Sequence, residues 1–201
     1  MKNNKIELSR SYEIVQRFFD ILQALIGLII AIPIIVISSI AIKVDTRGSI
    51  FYRQDRVGKN GQIFQIIKLR TMDMHAESSE PRWAGVNDPR VTKVGRFLRK
   101  TRIDELPQLI NVLKGDMSII GPRPERPFFT EKFNKENPGF IDRIVVKPGL
   151  TGLAQVNGGY DISPQEKLAY DLKYIRERTF LLDVKILFLT FKVVITGDGA
   201  R

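Results

Sequence analysis

An acidic pair is the part of this sequence whose residue types point most directly to chemistry. Asp104 and Glu105 are adjacent and begin an apolar pattern of helical spacing that continues to Lys114. Neighbouring residues on a helix point about 100° apart, so the two carboxylates cannot both face one atom. If the pair is catalytic, one acid attacks a substrate or holds a metal ion, and the other orients it or manages a proton.

Helix capping is the alternative explanation of the same pair. As an N-cap, Asp104 would contribute about 1 kcal/mol, and Glu105 would add a favourable charge at the positive end of the helix dipole. A diphosphate substrate would need a counterion, because the dipole supplies only about 0.3 to 1 kcal/mol per charge and cannot offset repulsion between carboxylates and phosphates. The catalytic interpretation therefore predicts Mg²⁺ bound by Asp104 and phosphate oxygens.

A proline-rich loop carries the second chemical feature. Residues 121–127 read GPRPERP, so three prolines restrict the backbone around Arg123. A guanidinium held in this way is suited to bidentate contact with phosphate. Proline is also common in ordinary turns, so a surface loop without function is the competing interpretation.

The composition narrows the choice of partner. The 201 residues include no cysteine and a single histidine, His75, and they carry a formal charge of +10. The lack of cysteine excludes a disulfide framework, a thiolate metal site and a cysteine nucleophile, and His75 lies in a polar stretch typical of a solvated loop. The charge favours nucleic acid, anionic lipid or a phosphorylated substrate. Nucleic acid is not predicted, because no basic stretch interleaved with aromatic residues is present.

An apolar segment near the N-terminus indicates contact with a membrane. Residues 21–42 contain no charge and exceed the ~20 residues that a spanning helix needs. Basic residues flank the segment on both sides: Lys2, Lys5, Arg10 and Arg17 before it, and Lys43, Arg47, Arg53, Arg56 and Lys59 after it. The positive-inside rule then assigns both ends to the cytoplasm, which a straight span cannot satisfy.

Pro33 lies near the middle of the apolar segment and is expected to break the helix. We therefore predict a re-entrant helix that enters one leaflet and turns back, with Ser38 and Ser39 satisfying the freed backbone groups. An ordinary single span with a proline kink is the alternative. Residues 10–20 read as an amphipathic helix that leads in along the lipid surface.

The remaining chain predicts a small mixed fold. Alternation in residues 49–54 and 62–67 around a glycine-rich turn predicts a β-hairpin, and helical patterns cover residues 91–100 and 104–114. Residues 181–195 are too short and charged to span, so they either lie on the membrane or complete the core. The predicted fold class is α+β, mainly helical and monotopic, with a membrane part at residues 1–43 and a cytosolic catalytic part at residues 44–201.

Three stretches together resemble a known family. They are KLRTM at residues 68–72, the run from TKVGRF to GPRP at residues 92–124, and KPGLTGLAQVNGG at residues 147–159. The chain is similar to the small monotopic phosphoglycosyl transferases of the bacterial sugar transferase family. The resemblance implies transfer of a sugar-1-phosphate from a UDP-sugar to undecaprenyl phosphate, with release of UMP.

The resemblance also implies roles for individual residues. By position, Asp104 is the nucleophile that forms a covalent phosphosugar intermediate, and Glu105 is its partner. The positions associated with phosphate or substrate binding are Lys68, Arg99, Arg123, Gln155 and Asn157. Two departures stand out: isoleucine rather than serine precedes Pro33, and Gly159 stands where some members have arginine.

The implied setting is the cytoplasmic face of a bacterial inner membrane, with both termini in the cytoplasm. The expected partners are the UDP-sugar, undecaprenyl phosphate and membrane phospholipid, and the question of a homodimer stays open. Two other functions compete. A conventional glycosyltransferase would release UDP, and a non-catalytic basic protein would only bind the membrane surface.

Overall fold

The computed structural model describes residues 10–74, 76, 85, 88–159 and 162–196. These residues form a mainly helical fold with two small two-stranded sheets, which agrees with the mainly helical α+β class expected from the sequence. The interpretation of His75 lies outside the described residues.

The first element is a long helix, α1 (Arg10–Asp45), of 36 residues. It is long and apolar enough to cross a membrane, judged by length and composition. One stripe of the helix is buried against the rest of the protein: Asp20, Ala24, Ala31, Ser38 and Ile42. The opposite face exposes large apolar side chains that include Ile14, Phe18, Ile26, Ile29, Ile37 and Ile40. The helix therefore has one face packed on the protein and one exposed apolar face.

Pro33 does not interrupt α1, although the sequence predicted a break there. A proline leaves the carbonyl four residues earlier without its donor, which here is the carbonyl of Ile29. The Ser39 hydroxyl donates instead to the carbonyl of Ile35 at 2.7 Å, so Ser39 does not have the role predicted for it. A re-entrant path for the helix stays a prediction.

The predicted hairpin is present. Strands β1 (Phe51–Val57) and β2 (Ile63–Leu69) pair antiparallel across a short 3-10 turn, Lys59–Gly61. The register places Tyr52 opposite Lys68, so both side chains lie on one face of the hairpin. This face becomes one wall of the candidate site.

The other elements follow in order along the chain. They are α2 (Lys93–Lys100), a 3-10 turn (Ile103–Glu105), α3 (Gln108–Lys114), β3 (Ser118–Ile120), α4 (Pro127–Glu136), a 3-10 segment (Phe140–Val145), β4 (Gly149–Thr151), α5 (Leu153–Gly158), α6 (Pro164–Glu177) and α7 (Phe180–Thr196). Strands β3 and β4 pair in parallel, which the sequence analysis did not predict. A side chain at Gly149 would come within 2.1 Å of the Gly121 nitrogen, so this close pairing requires glycine.

The main core joins the membrane helix to the rest of the chain. Ala24 and Ala31 of α1 pack in one cluster with Leu109, Val112 and Met117, among others. A smaller cluster joins Ile42 to Leu69 and Leu98. The fold thus continues across residue 43, where the sequence analysis divided the chain.

Helix α7 completes the core, which is one of the two roles that the sequence left open; its position on a membrane stays a prediction. Asp183 and Ile186 are buried in the interior. Exposed apolar side chains also line the helix: Phe180, Leu181, Phe188, Phe191 and Ile195. The segment therefore completes the core with one side and presents an apolar surface with the other.

Candidate active site

A cavity of about 280 Å³ lies between the hairpin, α2, the acidic turn, the proline-rich loop and α5. Its basic lining residues are Arg56, Lys68, Arg70, Arg90, Arg99, Arg102, Arg123, Arg126 and Lys167. Its acidic lining residues are Asp73, Asp104, Glu105 and Glu125. The excess of basic over acidic side chains suits an anionic ligand such as a nucleoside diphosphate.

The acidic pair lies in the 3-10 turn Ile103–Glu105, not in a regular helix. Helix α3 begins at Gln108, because the residues before it form tighter i to i+3 hydrogen bonds, such as that from the Leu106 N–H to the Ile103 carbonyl. Asp104 therefore does not cap α3, and the helix start predicted at residue 104 is wrong. Arg102, just before the turn, adopts φ 56°, a left-handed conformation unusual outside glycine. The local backbone directs both acids towards the cavity rather than along a helix.

Glu105 is held by two cations. It accepts a hydrogen bond from Lys68 Nζ at 2.8 Å and is paired with both terminal nitrogens of Arg123, one of them at 3.3 Å. Burial acts to raise the pKa of Glu105, but the charges of Arg123 and Lys68 hold it well below its usual value. Glu105 is therefore ionised and fixed in place.

Asp104 is equally buried, with 7% of its surface exposed, but has a different environment. Its carboxylate makes no hydrogen bond or ion pair with any other residue that the structure describes. Burial raises the pKa of Asp104 to about 6, and the charge of Glu105 acts in the same direction against Lys68 and Arg99. A carboxylate facing a cation-lined cavity without a protein partner is free to contact a substrate or a metal ion.

Two of the predicted basic residues reach the cavity from different elements. Lys68 lies near the end of β2, and burial lowers its pKa while the charge of Glu105 opposes that change. Arg99 lies on α2 and donates from Nε to the Thr71 hydroxyl at 2.9 Å. Asp45 at the end of α1 accepts from the backbone N–H of Val94, so the membrane helix holds the first turn of α2.

Backbone hydrogen bonds from distant elements hold the proline-rich loop. The Val57 N–H donates to the Glu125 carbonyl at 2.9 Å, and Arg56 donates to the Pro124 carbonyl at 3.1 Å. At the other end of the loop, the Gly149 N–H donates to the Pro122 carbonyl at 2.9 Å. Proline stiffness, the explanation taken from the sequence, is therefore only part of what positions Arg123.

Gln155 and Asn157 lie in different environments in the structure. Gln155 lines the cavity and is 9% exposed; its Nε2 donates to the Leu150 carbonyl, and its buried Oε1 has no hydrogen-bond partner among the described residues. Asn157 is exposed, lies outside the cavity lining and donates to the Leu153 carbonyl on its own helix. A substrate-binding role is thus easier to support for Gln155, and the role of Asn157 stays a prediction.

Comparison with known proteins identifies the family of the chain. A sequence model described as "Bacterial sugar transferase" matches residues 11–197. The chain belongs to the bacterial sugar transferase family. The match spans α1, the cavity and α7, so it includes every element that supplies a residue to the site.

Relatives of the chain carry different sugars in their names. The chain is 42% identical over 193 residues to a UDP-N-acetylgalactosamine-undecaprenyl-phosphate N-acetylgalactosaminephosphotransferase of Aeromonas hydrophila, covering 94% of the chain and 46% of that protein. It is 40% identical over 188 residues to a UDP-glucose:undecaprenyl-phosphate glucose-1-phosphate transferase of Escherichia coli, covering 91% and 40%. A protein of the same name from Caulobacter vibrioides is 38% identical over 190 residues, covering 92% and 71%. The chain spans less than half of the first two relatives.

The cavity has a simple donor set for a metal ion. Among the described residues, no group of three or more histidine, cysteine, aspartate or glutamate side chains could hold a metal. Of the two acids in the turn, Glu105 is occupied by Lys68 and Arg123, so Asp104 is the one that could bind a metal ion. A single carboxylate fits Mg²⁺, which commonly takes one or two protein carboxylates and completes its shell with phosphate oxygens and water.

Some cavity residues were not selected from the sequence. Tyr52 and Gln54 lie two residues apart on β1, on the same face of the hairpin as Lys68, and Arg126 and Phe129 come from the start of α4. The two-residue period of the first strand, combined with Lys68, was a signal that could have identified Tyr52 and Gln54. For Arg126 and Phe129 the sequence carried no comparable signal, since the path of the chain after the loop decides where they lie.

Proposed function

We propose that this protein transfers a sugar-1-phosphate from a UDP-sugar to undecaprenyl phosphate, releasing UMP and forming undecaprenyl-diphosphate-sugar. The observation that carries this proposal is the buried carboxylate of Asp104, which has no partner among the described residues and faces a cation-lined cavity. The names of the relatives support the same reaction class. The product would be the first lipid-linked intermediate of a bacterial surface glycan.

The first step is displacement at the sugar-bearing phosphorus. A carboxylate oxygen of Asp104 forms a bond to this phosphorus while the bridging oxygen leaves with UMP, taking the electron pair of the broken bond. In the second step an oxygen of undecaprenyl phosphate attacks the same phosphorus, and the Asp104 carboxylate leaves unchanged. No proton needs to move in either step, and one nucleophile serves a soluble donor and a lipid acceptor in turn, which gives ping-pong kinetics.

The cations of the cavity stabilise charge during both displacements. Arg123 and Lys68 are fixed by Glu105 and contribute positive charge without reorganising during the reaction. Arg99 approaches from α2, on another side of the cavity. Glu105 thus acts through the residues it holds, whereas Asp104 contacts the reacting phosphorus.

Mg²⁺ is the proposed cofactor, and Asp104 would hold it together with substrate phosphate oxygens. When bound, the ion supplies charge neutralisation for the diphosphate and for the departing UMP. The site residues then orient the donor so that the free oxygen of Asp104 is in line with the bond to be broken.

The membrane surface is the proposed location of the reaction. The apolar outer faces of α1 and α7 suit insertion into the cytoplasmic leaflet of a bacterial inner membrane, with both termini on the cytoplasmic side. This arrangement would place the cavity at the level of lipid phosphates, where the acceptor presents its own phosphate. Cysteines introduced near each terminus, labelled from one side of sealed vesicles, test the topology; labelling from opposite sides would exclude the re-entrant path.

The reaction is tested with purified protein, undecaprenyl phosphate, Mg²⁺ and a panel of UDP-sugars. The expected nucleotide product is UMP, whereas a conventional glycosyltransferase would release UDP. With donor alone, intact-protein mass spectrometry should show a phosphosugar adduct that is absent from Asp104→Asn. UMP release without any such adduct under rapid quenching would exclude the covalent route.

A further inference from the structure

Helix α6 contacts the proline-rich loop on the side away from Glu105. The link runs through Arg143, which lies in the 3-10 segment Phe140–Val145 and is 3% exposed. Its Nη2 donates to the backbone carbonyl of Arg123 at 2.7 Å. The residue whose side chain binds Glu105 is therefore also held by its main chain.

Asp171 of α6 orients Arg143. Arg143 Nε donates to Asp171 Oδ2 at 2.8 Å, and Nη2 lies 2.6 Å from the same oxygen. Asp171 is 1% exposed, so the pair is shielded from water and its geometry is tightly defined. Burying two charges carries a large desolvation penalty, and such a pair is weak evidence for stability by itself.

A second contact from α6 fixes the next acid in the loop. Lys167, one helical turn before Asp171, donates to Glu125 Oε1 at 2.7 Å. Burial acts to raise the pKa of Glu125, but Lys167, Arg143 and Arg56 lower it overall, so this carboxylate is ionised. Helix α6 thus holds the loop at Arg123 through Arg143 and at Glu125 through Lys167.

We propose that Asp171 and Arg143 are positioning residues for the phosphoryl transfer, acting through the main chain of Arg123. This inference rests on the proposed function of the cavity. The chain of contacts runs from Asp171 to Arg143, to the Arg123 carbonyl, to the Arg123 guanidinium and on to Glu105 beside Asp104. A displacement of Asp171 would move Arg143 and the main chain of Arg123, and so change where the Arg123 guanidinium contacts the substrate phosphate. Asp171 itself touches no substrate.

The direct test is Asp171→Asn, assayed by UMP release and by equilibrium binding of UMP. We expect kcat/KM to fall about 10- to 100-fold, since displacing a positioned group by an ångström has effects of this order. Arg143→Lys is the second variant: lysine keeps the positive charge but lacks the fork that reaches both Asp171 and the carbonyl. We expect the same direction of change for both.

Ser163→Ala is the matched control on the same helix. Ser163 caps α6 through a reciprocal hydrogen-bonded pair with Glu166 and, within the described part of the chain, makes no hydrogen bond to the loop. Its loss should lower the melting temperature while leaving kcat/KM within about twofold, because a cap affects helix stability and not the position of Arg123.

A double-mutant cycle separates positioning from general stability. If Asp171 acts through Arg123, Asp171→Asn should have little further effect on kcat/KM or on UMP binding when Arg123→Lys is already present. The inference would be overturned if Asp171→Asn lowered kcat/KM and UMP binding by the same factor in the wild-type and Arg123→Lys proteins. It would also be overturned if the loss in kcat/KM were no larger than that of Ser163→Ala. Absence of UMP release by the wild-type protein would instead reject the proposed function. The same double-mutant cycle, measured by equilibrium binding of UMP, would still test whether Asp171 positions Arg123.

Discussion

The two acids of the turn, Asp104 and Glu105, have different electrostatic environments although they are adjacent in the sequence. Asp104 and Glu105 are neighbours with the same exposed fraction, yet Glu105 is paired with Lys68 and Arg123, while Asp104 has no partner among the described residues. The pKa of Glu105 is lowered and that of Asp104 is raised to about 6. Burial alone therefore does not determine the properties of either acid; the placement of cations does.

This difference has opposite consequences for folding stability. The pKa of Glu105 is lower in the folded state than in the unfolded state, so its stabilisation is present above the unfolded pKa and is lost as pH falls through the folded one. The pKa of Asp104 is raised, so its contribution is fully present below the unfolded value and is lost as pH rises through about 6. At neutral pH, ionised Glu105 stabilises the fold and ionised Asp104 destabilises it.

The largest expected effect comes from Asp104→Asn. Removing the nucleophile should lower turnover by at least about a thousandfold. The same change removes an unfavourable buried charge, so the melting temperature should rise by about 2 to 4 °C if about 1 kcal/mol is recovered. UMP release and thermal unfolding of one preparation measure both. Normal turnover would contradict the assignment of the nucleophile, and a lower melting temperature would contradict the electrostatic contrast.

Glu105→Gln should change stability in the other direction. It leaves Lys68 and Arg123 as buried cations without their shared carboxylate, so we expect a loss of about 3 kcal/mol in unfolding free energy and about a 100-fold loss in turnover. Glu136→Gln, on an exposed ion pair, is the control with the same chemical change and should leave both quantities nearly unchanged. Melting temperatures that move together in Asp104→Asn and Glu105→Gln would remove the proposed distinction between the two acids.

The pH dependence of kcat/KM should report the ionisation of Asp104. Only the carboxylate form of Asp104 attacks phosphorus, so the rate should fall as pH drops through about 6. Arg99 lowers the pKa of Asp104, and Arg99→Met should therefore move the midpoint to higher pH. A midpoint that stays in place in Arg99→Met would show that another group controls the profile.

The smallest effects are expected beyond the acidic turn. Gln155→Leu removes an unpartnered buried acceptor from the cavity and should raise the KM for the donor about tenfold, the usual scale for one hydrogen bond to a substrate. Asn157→Ala changes an exposed side chain outside the cavity and should alter kcat/KM by no more than about twofold. Steady-state kinetics with a single donor compare the two, and a larger effect at Asn157 would reverse their order.

The sequence predicted the parts of the site that depend on local spacing. The hairpin, the apolar helix and the cationic loop all follow from short-range patterns, because turn chemistry and hydrophobic period act over a few residues. The motifs also identified Lys68, Asp104, Glu105 and Arg123, and the structure brings these four together in one cavity. Local rules failed at Asp104 itself, where a 3-10 turn after the left-handed Arg102 replaces the expected helix start.

What the sequence by itself determined is the set of chemical groups and the apolar character of α1, since residue type and order fix both. Tertiary structure decided which acid is free and which is paired, because Lys68 lies 37 residues before Glu105 and Arg123 lies 18 after it, and only folding brings both cations to one carboxylate. It also decided how the proline-rich loop is held, through contacts from β1, β4, Arg143 and α6. Electrostatic effects depend on distance in space, which spacing along the chain does not give.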